Sequence, residues 1–146
     1  ILSVGRNSRL VKVLKEDKNL VESVYVDVNA GELGGLFIIE ASCENKDINI
    51  VEELINKSIE DISNFRSLTL DELRKATNIV KSNYFFNLET STQLSSYFGN
   101  ELLWGRKSSI TDLKFHLDFW NDMENFKEIF EYIRGDKFTL IASTNK

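Results

Sequence analysis

A chain of 146 residues, 42% of them hydrophobic and 28% charged, has the size and composition of one globular domain. Its net charge of −5 argues against the basic face by which proteins hold nucleic acid, so we expect no nucleic-acid partner. No apolar run approaches the roughly 20 residues of a membrane-spanning helix. Without proline or a low-complexity tract, nothing marks a linker. We therefore predict a single domain over residues 1–146, without a membrane span.

The N-terminal part of the chain predicts a helix followed by a β-hairpin. Apolar spacing indicates a short helix over residues 8–17, and alternating apolar and polar side chains indicate a half-buried strand over residues 23–28. Residues 36–42 form a second, more continuously apolar stretch. The intervening residues 29–35 contain three glycines, which favour a turn, so we predict that the two strands pair as a hairpin.

The middle of the chain predicts helices. An apolar stripe over residues 51–62 indicates a helix with Asp47 as its N-cap. Thr69 and Glu72 have the spacing of a capping box, in which each residue satisfies a backbone N–H of the other, and they mark the start of a second helix. The apolar stripe behind this start continues for about thirty residues, enough for a helix of about 45 Å. The candidate ends of this helix are Gly99 and Gly105.

The remaining sequence predicts two shorter helices, over residues 111–119 and 122–134, and a strand over residues 137–143. The order of all these elements predicts an α+β fold, with several helices packed on one face of an antiparallel sheet. A cluster of aromatic residues belongs either to the core or to an interface with a missing partner. Its members are Tyr84, Phe85, Phe86, Tyr97, Phe98 and Trp104.

The sequence contains no complete catalytic or metal site. Its only histidine, His116, has no HxxEH spacing around it, so the ligand cluster of a zinc hydrolase is missing. The only cysteine, Cys43, ends a predicted strand, where a small buried side chain is the usual role. The glycines of residues 31–35 lack the spacing of a phosphate-binding loop. We therefore predict no catalytic residue, no metal ligand and no cofactor in this chain.

A collinear series of short motifs resembles the non-catalytic half of the M16 zinc metallopeptidases, the family of insulysin, pitrilysin and the mitochondrial processing peptidases. The motifs are a glycine turn with Ser-Arg-Leu at residues 5–10, Leu-Lys-Glu at 14–16, Leu-Val-Glu-Ser-Val at 20–24, Gly-Leu-Phe-Ile-Ile at 35–39, Leu-Thr-Leu-Asp-Glu-Leu-Arg-Lys-Ala at 68–76, and Gly99 with Leu-Leu-Trp-Gly at 102–105. Each motif is mostly structural, and their order over nearly the full length carries the resemblance.

The resemblance implies that this chain is an incomplete, non-catalytic half of a larger enzyme. Members of the family join two halves of like fold into a chamber that encloses a peptide. Zinc, its ligands and the glutamate base lie on an HxxEH motif in the N-terminal half. The implied partners are that half and a peptide substrate. Because the chain lacks the first strands and helix of a complete half, we expect exposed sheet edge that a second copy could cover in a homodimer.

The resemblance also places two substrate-binding positions on this sequence. The non-catalytic half of the family contributes an Arg and a Tyr to contacts with the substrate and the transition state, and these positions fall on Lys15 and Glu22. Lys15 keeps the positive charge but lacks the planar fork of arginine, and Glu22 replaces a hydroxyl donor with a carboxylate acceptor. The alternative for both is an exposed residue without a binding role.

These departures leave two alternatives to a peptidase fragment open. One is a non-enzymatic M16-like scaffold or interaction subunit, of the kind found in respiratory-complex cores. The other is an unrelated helical module that binds a partner through its long helix, although the predicted strands argue against it.

Overall fold

The computed structural model describes residues 1–64, 67–103, 105, 117–120, 122–125, 133 and 137–142. Its contacts divide the chain into two compact units. The first comprises Ile1–Leu68 and Ile129–Lys146, and the second comprises Thr69–Glu128. That the two form a single domain stays a prediction. Among the helices of the described ranges, none is long and apolar enough to cross a membrane.

The predicted β-hairpin is confirmed. Strand β1 (Val21–Ala30) pairs antiparallel with strand β2 (Gly35–Cys43). The turn between them is closed by the Gly31 N–H, which donates to the carbonyl oxygen of Gly34 at 2.8 Å. The pairing shifts between Val21 and Ser23, so Glu22 lies in a β-bulge.

The core of the first unit lies on one face of this hairpin. A π-helix, Val11–Asp17, and helix α1 (Ile48–Ser63) bring apolar side chains against the inner face of β1. The buried cluster contains Leu10, Leu14, Val21, Val24 and Val51. Burying one such side chain stabilises the fold by about 1.5–3 kcal/mol. The α+β prediction is therefore confirmed, with helices on one face of an antiparallel sheet.

Helix α1 begins where the sequence predicts, but its cap is different. Asp47 occupies the N-cap position, yet its side chain makes no capping hydrogen bond. The reason is its backbone, since the Asp47 N–H donates to the Glu44 carbonyl in a 3₁₀ turn, Asn45–Asp47. This gives Asp47 a helical conformation, φ −99° and ψ −5°. An N-cap side chain reaches the helix N–H groups from extended backbone, which Asp47 does not have.

The long helix predicted after Thr69 is two helices. Helix α2 (Leu70–Phe86) begins with the predicted capping box, in which the Glu72 N–H donates to Thr69 Oγ1 at 3.2 Å and the Thr69 N–H donates to Glu72 Oε2 at 3.0 Å. A second capping box then starts helix α3 (Ser91–Leu103). Here the Gln93 N–H donates to Thr90 Oγ1 and the Thr90 N–H donates to Gln93 Oε1, each at 3.2 Å. This local start interrupts the apolar stripe, so the prediction of one continuous helix is wrong.

The end of α3 agrees with one of the two predicted stops. The Gly105 N–H donates to the Leu102 carbonyl at 3.1 Å, and Gly105 has a φ of +64°. This left-handed conformation favours glycine and closes a helix C-terminus.

The strand predicted over residues 137–143 is wrong for residues 137–142, which the structure describes without strand pairing. An alternating pattern becomes a strand only where a neighbour supplies the ladder of hydrogen bonds. Here Thr139 Oγ1 instead donates to Glu52 Oε1 on α1 at 2.6 Å. The two helices predicted between residues 111 and 134 lie mostly outside the described residues, although residues 117–120 and 123–125 are helical.

Candidate functional site

The structure brings the two predicted substrate-binding residues together. Lys15 lies on the π-helix and Glu22 at the start of β1, and both side chains are exposed. The Lys15 ammonium donates a hydrogen bond to the backbone carbonyl of Glu22 at 2.7 Å. We call this arrangement the Lys15–Glu22 corner.

Buried residues next to Lys15 and Glu22 hold the corner in place. Leu14, next to Lys15, is 0% exposed, and Val21, next to Glu22, is 4% exposed. The chain reverses between them through Asn19, whose φ of +50° is the left-handed conformation that asparagine tolerates. The Leu20 N–H then donates to the Leu14 carbonyl at 2.8 Å. The corner is therefore held by core packing on both sides.

Two irregular backbone features orient the corner. Lys15 lies on a π-helix, and Glu22 is the extra residue of a β-bulge. Both features re-aim side chains relative to a regular helix or strand, and both are common beside functional sites. Neither can be read from the apolar pattern of the sequence, which predicts only a regular helix and a regular strand.

The corner carries both a hydrogen-bond donor and a hydrogen-bond acceptor. An ammonium group carries three N–H donors, so Lys15 retains donors for a further acceptor while it holds the Glu22 backbone. The Glu22 carboxylate is a hydrogen-bond acceptor. The neighbouring Glu16 is bound to Arg6, whose Nη2 lies 2.8 Å from Glu16 Oε2. This hydrogen bond raises the pKa of the Arg6 guanidinium above its ordinary value.

The outer face of the hairpin contains a second feature that the sequence does not single out. A shallow, open depression of about 280 Å³ is lined by Ser23, Tyr25, Glu40, Ala41 and Ser42. Tyr25 is 65% exposed there. The period-two alternation of β1 is the signal that places Tyr25 on this face.

The described part of the chain does not fit a zinc site. Within it, no group of three or more His, Cys, Asp or Glu side chains could hold a metal ion. Cys43 is half-buried, and burial, with a smaller contribution from the charge of Asp47, raises the pKa of its thiol. His116 lies outside the described residues.

A sequence model of a known family matches residues 1–80, which is more than half of the chain, and describes the peptidase M16 inactive domain. The chain belongs to the M16 peptidase family. The M16 match covers the π-helix, the hairpin, α1 and the start of α2, including both residues of the Lys15–Glu22 corner. The resembling motif at Gly99 and residues 102–105 lies beyond the matched range. M16 membership removes the unrelated helical module as an alternative.

The chain is also similar to an uncharacterized zinc protease of Streptomyces coelicolor. The two are 27% identical over 113 residues, which cover 77% of this chain and 24% of that protein. The chain therefore spans about a quarter of the length of the curated relative that it matches.

Proposed function

We propose that this M16 chain is a non-catalytic part of a zinc metalloendopeptidase. In this role the chain forms part of the wall of the peptide-enclosing chamber and helps to bind the substrate. The match to the M16 inactive domain supports the non-catalytic role, and the named zinc protease supports a peptidase parent. In this proposal zinc and the catalytic base belong to an HxxEH-bearing half, which is the partner of this chain. The chain by itself is then not an enzyme.

The observation that carries the substrate-binding part is the Lys15–Glu22 corner. The 2.7 Å hydrogen bond places the Lys15 ammonium beside the first residues of β1, with further donors available to a ligand. Positioning a peptide in this way can raise the rate without adding an acid or a base, because orientation alone lowers the activation barrier. Lys15 and Glu22 would thus act as binding residues.

A non-enzymatic M16 scaffold is the second candidate. The residues that favour it are Lys15 and Glu22 themselves, because they depart from the Arg and Tyr that the resemblance implies at these positions. A lysine binds a carbonyl as a point charge without the bidentate geometry of arginine. A scaffold would need neither residue for its packing role.

A complementation assay separates the two candidates. The chain, the HxxEH-bearing half of its parent, and their mixture are each tested on a quenched fluorescent peptide. We expect no cleavage by the chain alone and a rate for the mixture well above that of either piece. Two halves that bind each other without any gain in activity would support the scaffold. Cleavage by the chain alone, in a preparation free of other proteases, would refute the proposal.

A further inference from the structure

The hairpin carries charge of a single sign. Residues 19–45 contain no lysine or arginine, while five carboxylates fall within them: Glu22, Asp27, Glu32, Glu40 and Glu44. The first cation after the hairpin, Lys46, is already paired, since its Nζ lies 2.7 Å from Glu44 Oε2. The Lys15 ammonium lies at one end of the hairpin, against the Glu22 carbonyl, so the carboxylates farther along the strands still favour cationic groups.

The strand register gathers part of this charge around an aromatic ring. Tyr25 lies directly opposite Glu40, and Asp27 lies opposite Ile38. Directly opposed residues have Cβ atoms about 4.5–5.5 Å apart on the same face, and diagonal neighbours about 7–8 Å. Glu40 is therefore within reach of both the Tyr25 ring and the Asp27 carboxylate. The depression beside them is open, and Ser23 and Ser42 add hydroxyl groups to a lining that is otherwise largely apolar.

We infer that this outer face of the hairpin docks a lysine or arginine side chain of the bound peptide. The inference rests on the proposed function, to which it adds the substrate class, a basic peptide. The exposed Tyr25 ring offers a face for a cation–π contact, and the carboxylates of Glu40 and Asp27 supply opposite charge. The carboxylates would repel an acidic peptide. An apolar peptide would remove water from both carboxylates without giving either of them a partner.

Direct binding tests the inference without catalysis. The probe is a short fluorescein-labelled peptide with two arginines, compared by anisotropy with the same peptide in which citrulline replaces both. Citrulline keeps the shape of arginine and removes its charge. We expect the arginine peptide to bind roughly five- to tenfold more tightly at low ionic strength. The variants Glu40→Gln and Tyr25→Ser should each remove most of this difference.

Glu53→Gln is the matched control, because it removes the same charge from an exposed position on α1. It should leave the preference for arginine unchanged, and circular dichroism checks that every variant is folded. If Glu53→Gln weakens binding as much as Glu40→Gln, the attraction is only that of net charge and the inference is refuted. Equal binding of both peptides, weakened by Lys15→Ala, would also refute it while leaving the proposed function standing. Binding of neither peptide would refute the inference, whereas the proposed function is tested separately by the complementation assay.

Discussion

Lys15 and Glu22 are joined across a chain reversal by a hydrogen bond of 2.7 Å from the lysine ammonium to the glutamate backbone carbonyl. The bond connects the π-helix to the bulged start of β1, where the two backbones depart from regular geometry. Since the acceptor is a backbone atom, the Glu22 carboxylate is not occupied by this bond. The corner can therefore present a donor and an acceptor side by side.

Changing Lys15 tests the role of the corner in substrate binding. In the complemented enzyme, Lys15→Ala should lower kcat/KM by about three- to tenfold, because one charged hydrogen bond to the peptide is lost. Lys15→Arg should keep or raise kcat/KM, because guanidinium binds a carbonyl at least as well. Lys12→Ala, an exposed lysine on the same helix, is the control and should have no effect. Equal rates for wild type and Lys15→Ala would show that Lys15 does not touch the substrate.

The buried cluster predicts a large difference between two leucines. Leu14 is 0% exposed, and Leu14→Ala should lower the free energy of unfolding by about 2–5 kcal/mol through lost contacts and a cavity. Leu33, in the hairpin turn, is 101% exposed, and Leu33→Ala should change it by less than about 0.5 kcal/mol. Urea denaturation measures both. Similar midpoints for the two variants would contradict the assigned core.

The capping box of α2 predicts a smaller, chemically specific effect. Thr69→Ala should lower the free energy of unfolding by about 1 kcal/mol, because the Glu72 N–H loses its acceptor. Thr69→Ser keeps the hydroxyl and should be close to neutral. The two variants are compared by thermal and urea denaturation, and an unchanged midpoint for Thr69→Ala would show that the cap does not contribute.

The raised pKa of Cys43 predicts slow thiol chemistry. Burial disfavours the thiolate, so alkylation by iodoacetamide should reach half its maximal rate at a higher pH than in the denatured chain. Asp47→Asn should lower that pH without abolishing the difference, because burial is the larger cause. Asp27→Asn, farther along the hairpin, is the control.

The raised pKa of Cys43 also predicts how the free energy of unfolding changes with pH. A pKa raised by folding stabilises the protein fully below the ordinary thiol pKa, and this stabilisation is lost as the pH rises through the folded pKa. The free energy of unfolding should therefore fall in the alkaline range, and less steeply in Cys43→Ser. An alkylation profile equal to that of the denatured chain would contradict the burial of the thiol.

Local signals in the sequence predicted most of the elements but not where every one stops. The hairpin and the Thr69 capping box follow from alternation and from residue spacing, which act within a few residues. The break between α2 and α3 also has a local signal, the Thr90–Gln93 capping box, which the prediction of one long helix from the apolar stripe did not use. At Asp47 the spacing predicted the correct N-cap position, but it did not reveal the helical backbone conformation that prevents a side-chain cap.

The sequence by itself determined the α+β class, the hairpin and the kinship with M16 peptidases, because these depend on periodicity and on ordered motifs. The resemblance also placed Lys15 and Glu22 at the two substrate-binding positions of the family. Only the tertiary structure showed that these two residues contact each other. Their meeting depends on the left-handed turn at Asn19 and on the burial of Leu14 and Val21, which is long-range packing. The strand register likewise decided that Tyr25 lies opposite Glu40. In a hairpin the register depends on the geometry of the turn, and the glycines of residues 29–35 predicted a turn without fixing where each strand ends.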